Sequence, residues 1–239
     1  MNYLNRVKSI KDLSNLDIIL KKLSNIDKEI YFIGGASRSI ILNDFGNKDI
    51  DLVVPILEDS SVEKLIYEFD AKFFPSYRSI SLQVDDYDFQ INSFRKDIKS
   101  TGRHAKVAPA FTLQEDSKRR DFTFNSIYIN LLGESFDFYN GIKDLQESYL
   151  KFIFDPIDQI QKDYLRAIRY IRFLSLFKNI KSNSKDIEAI ILLSKNIFEF
   201  VKEKKISQEL KKTTKMPFPE NTIKFLKKYK ELNIFLDYL

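Results

Sequence analysis

Apolar and polar residues in the first part of the chain follow two different periods. Over residues 10–24 the apolar positions recur every three or four residues, which predicts a helix, and 37–45 and 61–69 show shorter versions of the pattern. Residues 29–35 and 49–55 are apolar runs that end in Gly-Gly and at a proline, which is typical of buried strands. This part of the chain is therefore predicted to alternate strands with helices.

Two longer segments alternate between apolar and polar residues with a period of two. Residues 77–94 do so around Asp85-Asp86, and residues 122–139 do so with a turn near Gly133. The alternation predicts two β-hairpins. Together with the helices, the hairpins indicate a mixed sheet with helices on one side, as in an α+β fold.

From about residue 144 the pattern is helical to the last residue. The helical segments are 163–177, 184–205, 206–215 and 220–239. Three arginines recur at every third position of the first segment, at Arg166, Arg169 and Arg172. The chain is therefore predicted to divide into a mixed domain at 1–145 and an all-α domain at 146–239.

The net charge of +5 is unevenly distributed. Residues 1–150 contain 20 Lys/Arg and 23 Asp/Glu, which gives −3, and residues 151–239 contain 19 Lys/Arg and 11 Asp/Glu, which gives +8. A basic second part suits an enzyme that holds a polyanion there. A lysine-rich solvated surface is the alternative.

The composition excludes several classes of protein. Hydrophobic residues make up 44%, too many for a disordered chain, and no apolar run approaches the roughly 20 residues that span a bilayer. The N-terminal segment lacks the apolar core of a signal peptide. Cysteine is absent, which excludes disulfides and thiolate zinc sites. We expect a cytoplasmic protein without a membrane partner.

The strongest chemical signal is a pair of aspartates in the strand at 49–55. Asp49 and Asp51 are two residues apart, so both carboxylates project from one face. Two neighbouring carboxylates suit Mg²⁺, which is commonly bound by one or two carboxylates together with substrate phosphates. Upstream, Gly34-Gly35 allows close approach of the backbone to a ligand. The alternative is a pair of solvated aspartates beside an ordinary turn.

These residues resemble the signature of the bacterial-type (class II) tRNA nucleotidyltransferase and poly(A) polymerase family, within the DNA polymerase beta-like superfamily. The family pattern is G-G-x-x-R-D followed by D-x-D. The matching residues are Gly34, Gly35, Arg38, Asp49 and Asp51. Ser39 replaces the usual aspartate. The resemblance implies a mixed-sheet nucleotidyltransferase head, followed by an all-α neck and body with the family's tail reduced or absent.

A second block resembles the family's R-R-D-F-T-x-N. The matching residues are Arg119, Arg120, Asp121, Phe122, Thr123 and Asn125. Paired arginines can grip a triphosphate, and Asp121 can accept a hydrogen bond from a ribose hydroxyl. A buried Arg-Asp ion pair that holds a turn is the alternative.

A third block resembles the family's neck helix, E-D-x-x-R-x-x-R-x-x-R-F. Asp163, Arg166, Arg169 and Arg172 match, and Lys162 replaces the glutamate. We expect Asp163 and Arg166 to be neighbours on one helical face, because they are three residues apart. The resemblance implies that these two side chains select CTP and ATP. Otherwise they form a surface ion pair that contributes little.

The resemblance implies an enzyme that adds CCA from CTP and ATP to tRNA 3′ ends, with a two-metal Mg²⁺ site at Asp49 and Asp51. Poly(A) addition and CC-only or A-only addition stay open. The alternative from a different functional class is a catalytically inactive protein that binds RNA or nucleotides. The family's mobile loop corresponds to residues 96–118 and favours full CCA addition.

The superfamily often has a third carboxylate on a neighbouring strand. Alignment of the hairpin strand with the family places Gln90 there, and Asp88 lies two residues earlier on the same face. Asp88 is therefore a candidate third carboxylate.

Overall fold

The computed structural model describes residues 2–23, 29–103 and 105–239. The predicted α+β class is confirmed, with strands concentrated before residue 140 and helices after it. The end of the helix predicted over 10–24 lies outside the described residues. Among the helices that the structure describes, none combines the length and apolarity needed to cross a membrane.

The secondary-structure elements follow the predicted order. The strands are β1 Tyr31–Ile33, β2 Asp49–Val54, β3 Lys72–Phe74, β4 Ser79–Val84, β5 Tyr87–Ser93, β6 Arg95–Ser100, β7 Ala105–Pro109, β8 Ile127–Asn130, β9 Ser135–Asp137, β10 Tyr149–Leu150 and β11 Lys181–Ser182. The α-helices are α1 Leu4–Ser14, α2 Leu16–Leu20, α3 Gly35–Leu42, α4 Asp59–Phe69, α5 Leu113–Ser117, α6 Gly141–Gln146, α7 Pro156–Lys162, α8 Leu165–Phe173, α9 Ser184–Phe200, α10 Glu203–Leu210 and α11 Pro219–Lys228. Short 3₁₀ segments are Pro75–Tyr77, Thr123–Asn125, Lys211–Lys215 and Lys230–Tyr238.

The chain forms two compact units, and each contains segments that are distant in sequence. The first unit consists of Met1–Asp97, Val107–Arg120 and Phe124–Ile142. The second unit consists of Ile98–Lys106, Asp121–Thr123 and Lys143–Leu239. The predicted domains at 1–145 and 146–239 are continuous stretches of chain and stay a prediction.

A mixed sheet forms the centre of the first unit. Within the described ranges its strand order is β3-β4-β5-β2-β1-β8-β9. β2 and β5 are parallel, and the other neighbouring pairs are antiparallel. α3 packs against β1, β2 and β8, while α4 packs against β3 and β4. The predicted hairpins correspond to β4-β5 and β8-β9.

The first helix differs from the prediction. The apolar period runs through residues 10–23 without interruption, but α1 ends at Ser14 and α2 begins at Leu16. Asn15 between them has a left-handed backbone with φ 53°, a conformation that asparagine tolerates better than most residues. Its side-chain amide donates to Asp85 Oδ2 over 2.6 Å. The spacing of apolar residues can continue across such a break, because that spacing does not depend on the backbone angle of any single residue. The sequence pattern therefore did not show the break at Asn15.

Residues 96–118, which resemble a mobile loop of the family, contain regular structure. β6 and β7 pair with each other as a two-stranded sheet. α5 follows, and Thr112 caps it by accepting a hydrogen bond from the Glu115 N–H over 3.1 Å.

Helices surround an aromatic cluster in the second unit. The ring of Phe122 lies 5.0 Å from that of Phe152 and 5.4 Å from that of Phe173, and Tyr170 stacks on Phe152 at 5.3 Å. Tyr170 and Phe173 come from α8, the helix that carries the three predicted arginines. The apolar side of α8 is therefore held in the core, together with the buried Arg166, whereas Arg169 and Arg172 are half-buried.

Candidate active site

Asp49 and Asp51 lie at the beginning of β2 and project from the same face of the sheet. Asp49 is exposed and Asp51 is half-buried, whereas Ile50 between them is buried. Gly34 has φ +62°, and a Cβ there would lie 3.3 Å from Asp51 Oδ2. The glycine thus permits both the left-handed turn and the close approach of the Asp51 carboxylate.

Asn47 also shapes this end of β2, and the motifs did not identify it. Its side-chain amide donates to the Asp49 carbonyl over 2.8 Å, and its Oδ1 accepts from the Asp49 N–H over 3.2 Å. A Cβ on Gly35 would come within 2.7 Å of Asn47 Nδ2, so a larger residue there would displace the Asn47 amide. The spacing Asn-x-Asp, typical of a side-chain turn, is the sequence signal that could have indicated it.

The strand beside β2 presents an amide next to Asp51. In the parallel pairing of β2 with β5, Asp49 is opposite Asp88 and Asp51 is opposite Gln90. Asp88 and Gln90 are exposed on the same face as the two aspartates. Within the described ranges, no group of three or more His, Cys, Asp or Glu side chains is close enough to hold a metal. A third carboxylate at Asp88 stays a prediction.

Arg38 and Asn125 are brought together although they are 87 residues apart in sequence. The Arg38 guanidinium donates from Nη1 to Asn125 Oδ1 and lies 5.7 Å from the centre of the Phe124 ring. Arg38 comes from α3, directly after the turn at Gly34, and Asn125 is buried. The first and second motif blocks therefore meet at this pair. Ser39, which replaces the family's aspartate, is buried in α3.

Arg119 and Arg120 bind one buried carboxylate, that of Asp116. Arg119 Nε donates to Asp116 Oδ1 over 2.9 Å, and Arg120 Nη2 donates to Oδ2 over 2.8 Å. The Tyr128 hydroxyl and the Arg95 backbone N–H donate to the same carboxylate, over 2.7 and 3.1 Å. The Arg-Asp ion pair weighed as an alternative is present, with Asp116 as the acid. Its spacing of three and four residues from the arginines is typical of helical pairs.

This cluster carries more positive than negative charge. Burial alone raises the pKa of Asp116, but Arg120 and Arg119 outweigh it and hold that pKa well below its usual value. Burial, together with the neighbouring charges of Arg119 and Arg120, lowers the pKa of Arg95 to about 9. Two guanidinium groups, those of Arg119 and Arg120, therefore share the carboxylate of Asp116, which leaves an excess of positive charge that favours an anionic ligand.

The arginine cluster and the aspartate pair lie on the same side of the sheet. Tyr128, which donates to Asp116, belongs to an apolar cluster that also contains Ile33 and Val53. Ile33 is the register partner of Asp51 on β1. Groups suited to phosphates and a carboxylate pair suited to a divalent cation thus occupy one face of the first unit.

Asp121 is engaged by an arginine of the third block. Arg169 Nε donates to Asp121 Oδ2 over 2.6 Å, and the Phe122 N–H donates to Oδ1 over 2.9 Å. Burial lowers the pKa of Arg169, but Asp121 more than compensates and the pKa is raised overall. The predicted ribose acceptor is therefore a buried, ion-paired carboxylate of the second unit.

Asp163 and Arg166 do not share a helical face as predicted, because Asp163 lies between α7 and α8, although the charge of Arg166 still acts on the Asp163 carboxylate. α7 ends at Lys162, and Asp163 has an extended backbone with φ −154°. Asp163 Oδ1 accepts from the Leu165 N–H over 3.0 Å, and its carbonyl accepts from the Arg166 N–H over 2.9 Å. Asp163 therefore caps the start of α8, a role for which aspartate is well suited.

The side chains of Asp163 and Arg166 have different partners. Arg103 Nη1 lies 3.2 Å from Asp163 Oδ2, and Arg166 donates from Nη1 to Gln159 Oε1. Burial raises the pKa of Asp163 although Arg103 opposes the shift. Sequence reasoning missed Arg103, because its segment has no periodic pattern that would place it near residue 163.

Arg172, like Arg169, contacts an acid. Its Nε lies 2.8 Å from Glu209 Oε1, and Lys212 Nζ lies 3.3 Å from Glu209 Oε2. Burial alone raises the pKa of Glu209, but the charges of Arg172, Arg169 and Lys212 together outweigh it and the pKa is lowered. Arg169 and Arg172 are therefore fixed by acids from elsewhere in the second unit.

The family described as "Poly A polymerase head domain" matches residues 30–151, which is more than half of the chain. The chain belongs to this family. The matched segment includes Gly34, Asp49, Asp51 and the arginine pair, whereas the third motif block follows it.

The CCA-adding enzyme of Bacillus pumilus is 32% identical over 222 residues, which cover 90% of this chain and 54% of the relative. Two solved structures share the fold. The Bacillus stearothermophilus CCA-adding enzyme in complex with CTP superimposes with a TM-score of 0.75 at 21% identity, covering 93% of this chain and 53% of that one. The Thermotoga maritima CCA-adding enzyme complexed with tRNA_CCA gives 0.76 at 20% identity, covering 99% and 55%.

The chain spans about half the length of the curated relatives it matches. Membership of the family is shown for residues 30–151 of the chain.

Proposed function

We propose that the chain catalyses template-independent addition of nucleotides to the 3′ end of tRNA, building CCA from CTP and ATP. The observation that carries the proposal is the placement of Asp49 and Asp51 on one face of β2, against the turn at Gly34. The names of the relatives support it, because CCA-adding enzymes are among them. The chain corresponds to about half of those proteins, so its activity, substrates and partners are all part of the proposal.

The two aspartates fit Mg²⁺. One exposed and one half-buried carboxylate leave room for substrate oxygens, which complete the coordination of Mg²⁺ in many phosphoryl-transfer sites. A pair of bound Mg²⁺ ions would supply charge stabilisation to the attacking and leaving oxygens. Asp49 and Asp51 would hold them, and Gly34 keeps the space beside Asp51 free of a side chain.

The reaction exchanges a phosphoanhydride bond for a phosphodiester bond. The RNA 3′-hydroxyl oxygen attacks the α-phosphorus of CTP or ATP and its proton passes to solvent, a bond forms between that oxygen and the phosphorus, and the bond from the α-phosphorus to the bridging oxygen of the β-phosphate breaks. Pyrophosphate leaves with the bridging oxygen and its negative charges. Arg119 and Arg120 bind the phosphates, because their combined positive charge is greater than the negative charge of Asp116. Asn125 orients Arg38, which also binds phosphate.

Base selection is assigned to Asp163 and Arg166. A carboxylate accepts and a guanidinium donates hydrogen bonds, and both are needed to distinguish bases by their edges. Gln159 orients Arg166, and the cap of α8 orients Asp163. Arg169 and Arg172 take the supporting role, because Asp121 and Glu209 bind them.

The test is incorporation by the purified chain into a tRNA transcript that lacks CCA. With labelled CTP and ATP offered singly and together, we expect three added nucleotides and then a stop. Asp51→Asn should lower the rate about a thousandfold, because a neutral amide binds a divalent cation far more weakly than a carboxylate does. Asp86→Asn is the matched control: it removes an exposed carboxylate in the turn between β4 and β5, and we expect a change of less than about threefold.

Other outcomes would replace the proposal. Continuous A addition without use of CTP would indicate a poly(A) polymerase. Addition that stops after CC, or A alone, would indicate a partial activity. Equal background incorporation by wild type and Asp51→Asn would indicate a protein that binds RNA or nucleotides without catalysis.

A further inference from the structure

A small pocket opens on the sheet beside the aspartate pair and is not used by the reaction described above. Its volume is about 150 Å³, and its lining consists of Phe74, Tyr77, Ser79, Gln90 and Arg95. This is smaller than the roughly 300–1,000 Å³ of sites that enclose a drug-sized ligand, and it suits a single flat ring.

The sheet register places this pocket close to the reacting groups. Gln90 is the β5 partner of Asp51, so one strand spacing separates them. Gln90 is paired with Ser81 on β4, and Ser79 lies two residues further along on the same face. At about 4.8 Å per strand, the pocket is roughly 10 Å from the carboxylates. That is the scale of one nucleotide.

The lining combines flat apolar rings with hydrogen-bonding groups. Phe74 and Tyr77 offer aromatic faces, and the Arg95 guanidinium lies 5.1 Å from the centre of the Tyr77 ring. Gln90 Nε2 lies 3.3 Å from Ser79 Oγ, and the amide can both donate and accept. Aromatic and guanidinium planes are what unpaired RNA bases stack on.

The turn that presents Tyr77 is held in place. Arg78, the residue after it, has a left-handed backbone with φ 43°, and its N–H donates to the Pro75 carbonyl over 3.1 Å. The Arg78 side chain donates to the Leu57 carbonyl and to Asp59 Oδ1. Arg95 Nη1 donates to the Tyr77 carbonyl over 3.1 Å. The pocket is therefore organised before a ligand arrives.

The charge around the pocket favours a polyanion. The Arg95 backbone N–H donates to Asp116 over 3.1 Å, and the charges of Arg119, Arg120, Asp116 and Asp97 all act on the Arg95 guanidinium. A ligand whose backbone is anionic and whose base is flat matches both the cluster and the rings.

We propose that the pocket of Phe74, Tyr77, Ser79, Gln90 and Arg95 holds the 3′-terminal base of the acceptor RNA, which sets its 3′-hydroxyl at Asp49 and Asp51. This inference rests on the proposed function and names the subsite for the RNA. The base of the incoming nucleotide is assigned to Asp163 and Arg166, which do not line this pocket.

The test is a binding measurement that does not need catalysis. A labelled RNA hairpin that mimics an acceptor stem without CCA is titrated with protein in EDTA, and so is the same hairpin with an abasic 3′-terminal residue. We expect the loss of the base to weaken binding to wild type about tenfold. Tyr77→Ala should bind the intact hairpin about tenfold more weakly and should no longer distinguish the two RNAs.

Two further variants separate stacking from folding. Tyr77→Phe retains the ring and should still discriminate between the two RNAs about tenfold. Tyr67→Ala removes a tyrosine that is 91% exposed on α4, and it should behave as wild type.

The outcomes distinguish this inference from the function on which it rests. If Tyr77→Ala distinguished the intact hairpin from the abasic hairpin as well as wild type does, the pocket assignment would be overturned. The proposal of CCA addition would be unaffected. An increased KM for CTP in Tyr77→Ala with unchanged RNA affinity would also overturn the pocket assignment, because the pocket would then hold the incoming base. Absence of RNA binding by wild type would reject both.

Discussion

Asp116 and Asp186 are both fully buried carboxylates, and their surroundings shift their pKa values in opposite directions. Two guanidinium groups and a tyrosine hydroxyl surround Asp116, and its pKa is lowered. Asp186 accepts a hydrogen bond from the Phe152 N–H over 2.9 Å. Burial raises the pKa of Asp186 to about 7 although this hydrogen bond and Lys151 oppose the shift.

The pKa of Asp186 predicts a pH-dependent contribution to stability. An aspartate in the unfolded chain titrates near 3.9. Because the folded pKa is higher, the stabilising contribution of the protonated group is complete below pH 4 and is lost as the pH rises through about 7. In Asp186→Asn the asparagine side chain cannot ionise, and its oxygen can still accept the hydrogen bond from the Phe152 N–H.

The difference in free energy of unfolding between Asp186→Asn and wild type should therefore change with pH. We expect it to be roughly 2 kcal/mol more in favour of Asp186→Asn at pH 8 than at pH 5. Urea titrations of both proteins at the two pH values measure this difference. A difference that is the same at both pH values would contradict the prediction.

At the scale of elements, the junction between α7 and α8 determines which contacts the residues of the third motif block make. A continuous helix would place Asp163 and Arg166 one turn apart. The break at Asp163 instead directs its carboxylate to the Leu165 N–H and to Arg103. The apolar pattern is compatible with both arrangements, because α7 and α8 each present buried residues to the core.

Substitution of Asp163 can separate its capping from its proposed reading of the base. Asn accepts the hydrogen bond of an N-cap about as well as Asp, so Asp163→Asn should change the free energy of unfolding by less than about 0.5 kcal/mol. Asp163→Ala should lower it by about 1 kcal/mol. Denaturant unfolding of the two variants measures this.

Nucleotide choice is the second measurement on the same variants. If Asp163 contacts the base, Asp163→Asn should alter the ratio of CTP to ATP incorporation although the fold is retained. An unchanged ratio with normal stability would limit Asp163 to the cap.

At the scale of the whole chain, the basic second part predicts a strong dependence of RNA affinity on salt. Residues 151–239 carry a net +8, and phosphate contacts release counterions when they form. With about four such contacts, affinity for the RNA hairpin should fall roughly 10²-fold between 50 and 200 mM salt. Titrations at several salt concentrations give the slope. A slope near zero would mean that these lysines are a solvated surface.

The spacing of apolar residues alone predicted much of the fold. The alternating segment at 77–94 contains β4 and β5, and the apolar run at 49–55 contains β2. The pattern could not show the break at Asn15, which depends on one backbone angle. It also did not predict the β6-β7 hairpin, whose residues are mostly polar or half-buried.

The sequence by itself determined that Asp49 and Asp51 share a face, because side chains in a strand alternate with a period of two. It also determined that glycine begins the turn next to them. Only the tertiary structure decided that Arg103 contacts Asp163 and that Gln90 lies beside Asp51. The ion pair at Asp163 and the strand register join residues far apart in the chain. Local periodicity carries no information about which distant segments pack together.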